Sequence, residues 1–161
     1  MALLETGADA PDFTLSTDRG EEFRLARHRG RPVVLEFYCE DDSGGCVTEN
    51  QEFSALLPEF EQLGASVVGI SPQDVESHRK FSAKYGFAHP LLADPGLDAI
   101  GAYGLWEKKR LWGHEFMGVL RVTYLIDAAG KVAGVFRATR IKGHAEKVLE
   151  ATRALVGGGP R

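Results

Sequence analysis

The chain has 161 residues, 43% of them apolar, and a formal net charge of −4 at pH 7. That is one domain's length with enough apolar content for a core, and its acidic balance gives no electrostatic reason to expect nucleic acid or an anionic membrane as a partner. No basic segment leads into a sustained apolar stretch at the start of the chain, and no apolar run is long enough to span a bilayer, so the expected location is the cytoplasm. Residues 1–156 are expected to form a single domain and 157–161, Gly-Gly-Gly-Pro-Arg, a disordered tail.

Taken in order, Ala10-Pro11-Asp12 should enter extended, because a residue before proline is pushed out of the α region. Phe13 to Leu15 and Glu22 to Leu25 read as two short strands joined through the turn Asp18-Arg19-Gly20. Val33 to Tyr38 is a β-branched and aromatic run typical of a central strand. After the turn that follows it, Phe53, Leu56, Leu57, Phe60 and Leu63 recur at helical spacing, with Pro58 expected to cause a kink or break near Ser54 to Leu57. Ala65 to Ser71 is the next buried strand and completes a strand-helix-strand unit.

Ser71 to Asp74 opens a second helix carrying Val75, His78, Phe81 and Tyr85 on one face, with Gly86 closing it. His78 on such a face reads as a partly buried histidine with its hydrogen bonds met, not as a ligand. Pro90 to Ala93 is a brief strand, and Leu97, Ile100 and Tyr103 mark a short helix ending at Gly104. Leu105 to Gly118 reads as the longest irregular segment, with Trp106, Trp112 and Lys108-Lys109-Arg110 on a solvated loop. Val119 to Asp127 and Val132 to Phe136 are strands, and Gly143 to Val156 is a closing amphipathic helix. This alternation argues an α/β domain of thioredoxin-like build, a central mixed β-sheet flanked by helices.

The turn Cys39-Glu40-Asp41-Asp42-Ser43-Gly44-Gly45-Cys46 holds both cysteines. Two cysteines cannot make a disulfide framework, and a pair beside a strand-helix turn in a reducing compartment points to redox or catalytic chemistry. Ser43 is a good N-cap, its hydroxyl able to accept from a backbone N–H two or three residues on, which places Cys46 third in the helix. There the unpaired N–H groups and the positive end of the helix dipole favour the thiolate. A lone cysteine is ordinarily a buried structural residue. The polar, glycine-containing loop argues otherwise here and predicts a Cys46 at least partly open to solvent. An arginine inside the apolar Leu120 to Ile126 run, Arg121, is costly to bury unless paired, and beside a thiol its charge would favour the thiolate. Cys-x6-Cys with scattered histidines lacks zinc-site spacing, so neither metal nor organic cofactor is expected.

These residues resemble the peroxiredoxins, and more closely the peroxiredoxin Q or bacterioferritin comigratory protein group. The resemblance rests on Ala10 to Leu15, Val34 to Tyr38, Gly45-Cys46-Val47-Thr48-Glu49, Tyr103 to Trp106, Met117-Gly118, Arg121 to Asp127 with Gly130, and Gly143-His144-Ala145. It covers nearly the whole chain and implies a thiol-dependent peroxidase acting on hydrogen peroxide, organic hydroperoxides or both. It makes Cys46 the peroxidatic cysteine, Ser43 the equivalent of the family's threonine, Arg121 its arginine, and Glu49 the glutamate that steadies that arginine. Cys39 stands where the family has proline. The position of the group's resolving cysteine, five residues after the peroxidatic one, is Gln51, so the group's usual disulfide cannot form.

The implied mechanism is attack of the Cys46 thiolate on a peroxide oxygen to give a sulfenic acid. Apart from the resemblance, the flexible Ser43-Gly44-Gly45 stretch lets Cys39 fold back as the resolving thiol, the alternative being a Cys39 that only packs as a small apolar residue while an external thiol resolves the intermediate. The implied partners are a hydroperoxide and a thioredoxin-like or low-molecular-weight thiol reductant, and the expected assembly is a monomer or weak dimer. A thiol-disulfide reductase is the weaker reading on this fold, because Cys-x-x-Cys is absent. A non-catalytic redox sensor or holdase is the rival from another class, kept open by the loss of the proline and of the usual resolving cysteine.

Overall fold

In the computed structural model, which describes residues 2–157, the strands are β1 (Thr14–Thr17), β2 (Glu22–Arg24), β3 (Val33–Phe37), β4 (Ser66–Ser71), β5 (Leu91–Ala93), β6 (Trp106–Leu111), β7 (His114–Val119), β8 (Val122–Ile126) and β9 (Val132–Arg137). The helices are α1 (Gly44–Gln62), α2 (Val75–Tyr85), α3 (Asp98–Ala102) and α4 (His144–Gly157). A single 3-10 turn, Leu25–His28, follows β2, so Leu25 leaves the strand that the sequence extended through it. Gly157 closes α4, and the rest of the expected tail, 158–161, lies outside the described residues.

Seven strands form one mixed sheet in the order β2-β1-β5-β4-β3-β8-β9. β3 is parallel to β4 and β4 to β5, while β8 runs antiparallel to β3 with Leu35 opposite Tyr124. This is the thioredoxin-like α/β sheet that the strand-helix alternation predicted. Both faces of β3 are covered, which is why it reads as a continuous apolar run. Side chains alternate across the sheet. Val33, Leu35 and Phe37 pack with Ile100 and Tyr103 on one side, and Val34 packs with Phe53 and Phe60 of α1 and Val148 and Leu149 of α4 on the other. Glu36 and Tyr38 belong to the α1 side of that alternation, and there the chemistry sits.

Three expectations about the elements are corrected. Leu105 to Gly118 is not irregular: β6 and β7 form an antiparallel hairpin with Lys109 opposite Phe116. Its two-residue loop, Trp112-Gly113, has φ of 53° and 80°, the pair of positive values that such a turn uses. Most of its side chains are exposed and charges occupy both faces, so the period-2 signal is missing. α1 does not break at Pro58 but runs for 19 residues through it. A proline inside a helix costs about 3 kcal/mol, and the buried Phe53, Leu57 and Phe60 outweigh that at roughly 1.5–3 kcal/mol each. Arg121 is not inside a strand but in the two-residue joint between β7 and β8. There Leu120 N–H donates to Leu105 O (2.8 Å) and Ala138 N–H to Arg121 O (2.9 Å).

Candidate active site

The segment from Tyr38 to Ser43 is held mainly by α2 and the turn before it. Tyr38 donates its hydroxyl to Asp41 Oδ1 (2.8 Å), Ser77 donates to Asp41 Oδ2 (2.7 Å), and Asp41 N–H donates to Gln73 Oε1 (3.1 Å). Asp42, at φ 61°, accepts from Lys84 and from the Tyr85 hydroxyl, both at 2.8 Å. His78 has both ring nitrogens engaged, Nδ1 with Asp41 Oδ2 at 2.7 Å and Nε2 with Leu92 O at 2.9 Å, and is fully buried as the histidine its spacing suggested. Asp41 and Asp42, which the sequence reading took only as loop polarity, are the residues that fix this loop.

With the loop fixed, α1 begins at Gly44 and Cys46 is its third residue, as expected. Ser43 occupies the N-cap position but makes no cap bond; its hydroxyl donates back to Glu40 O at 3.2 Å. Cys46 is 1% exposed, contrary to the solvent-open thiol that the loop's composition implied. Composition describes the loop, whereas the thiol points inward from the helix's first turn among Tyr38, Phe81, Phe87 and Leu91.

The two sulfurs are coupled. The Cys46 thiol is lowered to about 5, chiefly by the hydrogen bond that Cys39 offers it, with help from Ser43 and the backbone N–H groups of Glu40 and Cys39, while burial opposes the shift. Cys39 is pushed far up by the same pairing and by burial, and Lys109 and Arg121 pull it back only in part. One sulfur therefore carries the charge and the other the proton. The Cys39 S–H has a second acceptor in Val119 O at 3.1 Å.

Arg121 arrives from its joint over the start of α1. A Cβ at position 45 would collide with its Nη1, so only glycine leaves room for the guanidinium there. Below it lies a buried acidic pair. Glu36 and Glu49 are 0% and 1% exposed, and none of their four carboxyl oxygens has a hydrogen-bond partner among the described residues. Burial raises Glu49 to about 7, with the Cys46 charge adding to it and Arg121 opposing. Glu36 is raised well above the carboxylate range, first by burial and then by Glu49.

His89 gives this pair no cation. Asn50 Nδ2 donates to Cys46 O (2.9 Å), which turns its Oδ1 toward His89 Nε2 (2.9 Å), and burial lowers His89 to about 3. Two buried carboxyls beside a neutral imidazole favour the protonated form of at least one of them. Sequence reasoning missed Glu36, Asn50 and His89. A carboxyl in the middle of an apolar strand was the available signal, because such a group is rarely buried without a reason.

A cysteine buried in the first turn of a helix with its thiol lowered, a second cysteine electrostatically coupled to it and an arginine over the same turn define a thioredoxin-fold site for thiol-based peroxide reduction. Comparisons with known proteins agree. Residues 6–135 match the model of the AhpC/TSA family. A putative peroxiredoxin bcp of Helicobacter pylori is 41% identical over 94% of this chain and 99% of its own. Peroxiredoxin Bcp of Xanthomonas campestris is 39% identical over 95% of this chain and 96% of its own. A structure of the Xanthomonas campestris bacterioferritin comigratory protein, from work on its alkyl peroxide reduction activity with trapped intermediate and ligand complexes, superposes with a TM-score of 0.87 at 38% identity, covering 97% of this chain and 99% of that one. The chain belongs to the AhpC/TSA family, in its Bcp and peroxiredoxin Q group, and is a thiol-dependent peroxidase. That membership decides for the enzyme over the non-catalytic sensor.

Proposed function

We propose that this chain reduces both alkyl hydroperoxides and hydrogen peroxide, with Cys46 as the peroxidatic thiol. The thiolate attacks the terminal peroxide oxygen, the O–O bond breaks, Cys46 becomes a sulfenic acid, and the departing alkoxide or hydroxide takes up a proton. Arg121, Ser43 and the N–H groups at the start of α1 stabilise the charge that grows on the leaving oxygen, and Glu49 acts on the arginine only through its field, since its carboxyl accepts no hydrogen bond from the guanidinium. The observation that carries this reading is the placement of Cys46, buried in the first turn of α1 with the Arg121 guanidinium over that same turn. Room for an organic substituent is offered by a cleft of about 280 Å³ beside Cys39, with Trp106, Phe116 and Met117 in its wall.

Cys39 then closes a disulfide with Cys46, and an external thiol, thioredoxin-like or of low molecular weight, reopens it. The reading supposes one domain, monomeric or weakly dimeric, working in the cytoplasm. Among the described residues no helix is long and apolar enough to cross a membrane. Turnover of cumene hydroperoxide and of hydrogen peroxide, each with a dithiol reductant, tests the substrate range. Many equivalents of both consumed by the wild type and none by Cys46→Ser is the expected result; consumption of only one peroxide narrows the class, and undiminished turnover by Cys46→Ser overturns the site.

A further inference from the structure

Three consecutive cations, Lys108, Lys109 and Arg110, lie on β6, where neighbours point to opposite faces. Lys108 and Arg110 share one face and both meet Glu115, at 3.3 Å and 2.6 Å. Lys109 points the other way, and among the described residues it has no carboxylate partner. Its Nζ donates to Val119 O at 2.6 Å and stands 3.5 Å from Cys39 Sγ. The lysine stem lies over Gly118, where a Cβ would come within 3.0 Å of Cδ. A lysine with no carboxylate partner among the described residues is thus delivered from the middle of β6 to the sulfur of the second cysteine.

We propose that Lys109 is a positioning residue for disulfide closure, acting by making Cys39 nucleophilic once Cys46 has been oxidised. The inference rests on the reading of Cys39 as the resolving thiol. In the reduced site the Cys46 thiolate is the foremost obstacle to ionising Cys39, and burial is the next. Conversion of Cys46 to the neutral sulfenic acid removes that charge. The charged groups then facing Cys39 are Lys109 from β6 and Arg121 from the joint before β8, both of which favour its thiolate, with Glu40 adjacent in the chain.

Cys39 attacks Sγ of Cys46, the S–S bond forms and the S–O bond breaks. The departing hydroxide and the proton of the Cys39 thiol end as one water. No oxidant beyond the peroxide already spent is required. Lys109 contributes charge to this step and takes up no proton in it. Oxidation of one sulfur thereby switches on the other, so the resolving thiol stays inert until there is a sulfenic acid to resolve.

The test is a single turnover of fully reduced protein with one equivalent of hydrogen peroxide, quenched with an alkylating agent at successive times and mapped by peptide mass. It compares the wild type with Lys109→Met and Lys109→Arg from pH 6 to 9. In the wild type the Cys39–Cys46 linkage should accumulate after the sulfenic acid. In Lys109→Met its closure should slow by about tenfold or more at pH 7 relative to sulfenic acid formation, one pKa unit being a tenfold change in thiolate. Its pH profile should move upward, with Lys109→Arg recovering most of the loss. A wild type that never forms the linkage overturns the resolving role of Cys39 and the lysine's with it. A wild type that closes the disulfide beside a Lys109→Met that closes it equally fast overturns only the lysine, as does a loss shared equally by both phases.

Discussion

Gly45 and Arg121 occupy one volume: the guanidinium lies where the side chain of any larger residue at position 45 would be. Because the obstacle is the end of a flexible side chain, an alanine would displace the arginine and not the helix. Gly45→Ala should therefore gain helix propensity, about 1 kcal/mol, and still lose peroxidase activity. Thermal unfolding and peroxide consumption on the same sample decide it, and an alanine variant as active as the wild type would show that Arg121 need not stand there.

Arg121→Met removes the charge without disturbing the joint, whose hydrogen bonds are made by its backbone. The expected loss in peroxide rate is about 10²–10³-fold, the usual scale for one group that stabilises a developing oxyanion, with only a small change in Tm. A fall in stability large enough to account for the lost rate would reassign the residue to the fold.

Cys39 is the foremost cause of the low Cys46 pKa, so its donor can be tested apart from its nucleophilicity. Cys39→Ala should raise the Cys46 pKa from about 5 toward the ordinary thiol range, whereas Cys39→Ser, which keeps a hydroxyl donor, should hold it lower. Neither variant should form an intramolecular disulfide. Thiolate absorbance against pH reads the first effect, and identical titrations of the two variants would remove the hydrogen bond from the account.

The Glu36 and Glu49 carboxyls should leave a mark on stability. For an acid raised by folding, the native state holds more protons than the unfolded chain between the two pKa values, so stability falls as pH rises through that window. For Glu49 the window runs from 4.5 to about 7. Cys46, lowered from 9.0 to about 5, works in the opposite sense over its own window, so the wild-type profile is the difference of the two and the variants are what isolate the carboxyls. Glu36→Gln imitates the protonated acid. It should match the wild type near pH 5 and become progressively more stable than it toward pH 8, as followed by urea midpoints. A constant offset across that range would mean that Glu36 does not hold the proton.

The order of elements outside the β6–β7 hairpin, the helix-terminal place of Cys46 and the histidine role of His78 were legible in the chain, because each depends on local periodicity and turn residues. Cys46, Ser43 and Arg121 were legible as site residues through their resemblance to a family pattern. Local signals went wrong where tertiary contacts overrode them: packing of Phe53, Leu57 and Phe60 carried α1 through Pro58, and a polar loop delivered a buried thiol. The β6–β7 hairpin was lost because its exposed strands carry no alternation. Three meetings depended on the packing of separate elements: Lys109 with Cys39 across 70 residues, Arg121 with Gly45, and Glu36 with Glu49. The sequence by itself determined that Cys46, Cys39 and Arg121 had the chemistry, because residue type and, for the cysteines, a place beside a strand-helix turn are local. Which thiol is charged, which holds the proton and which cation waits beside it were decided by tertiary structure, because charge and desolvation act through space and not along the chain.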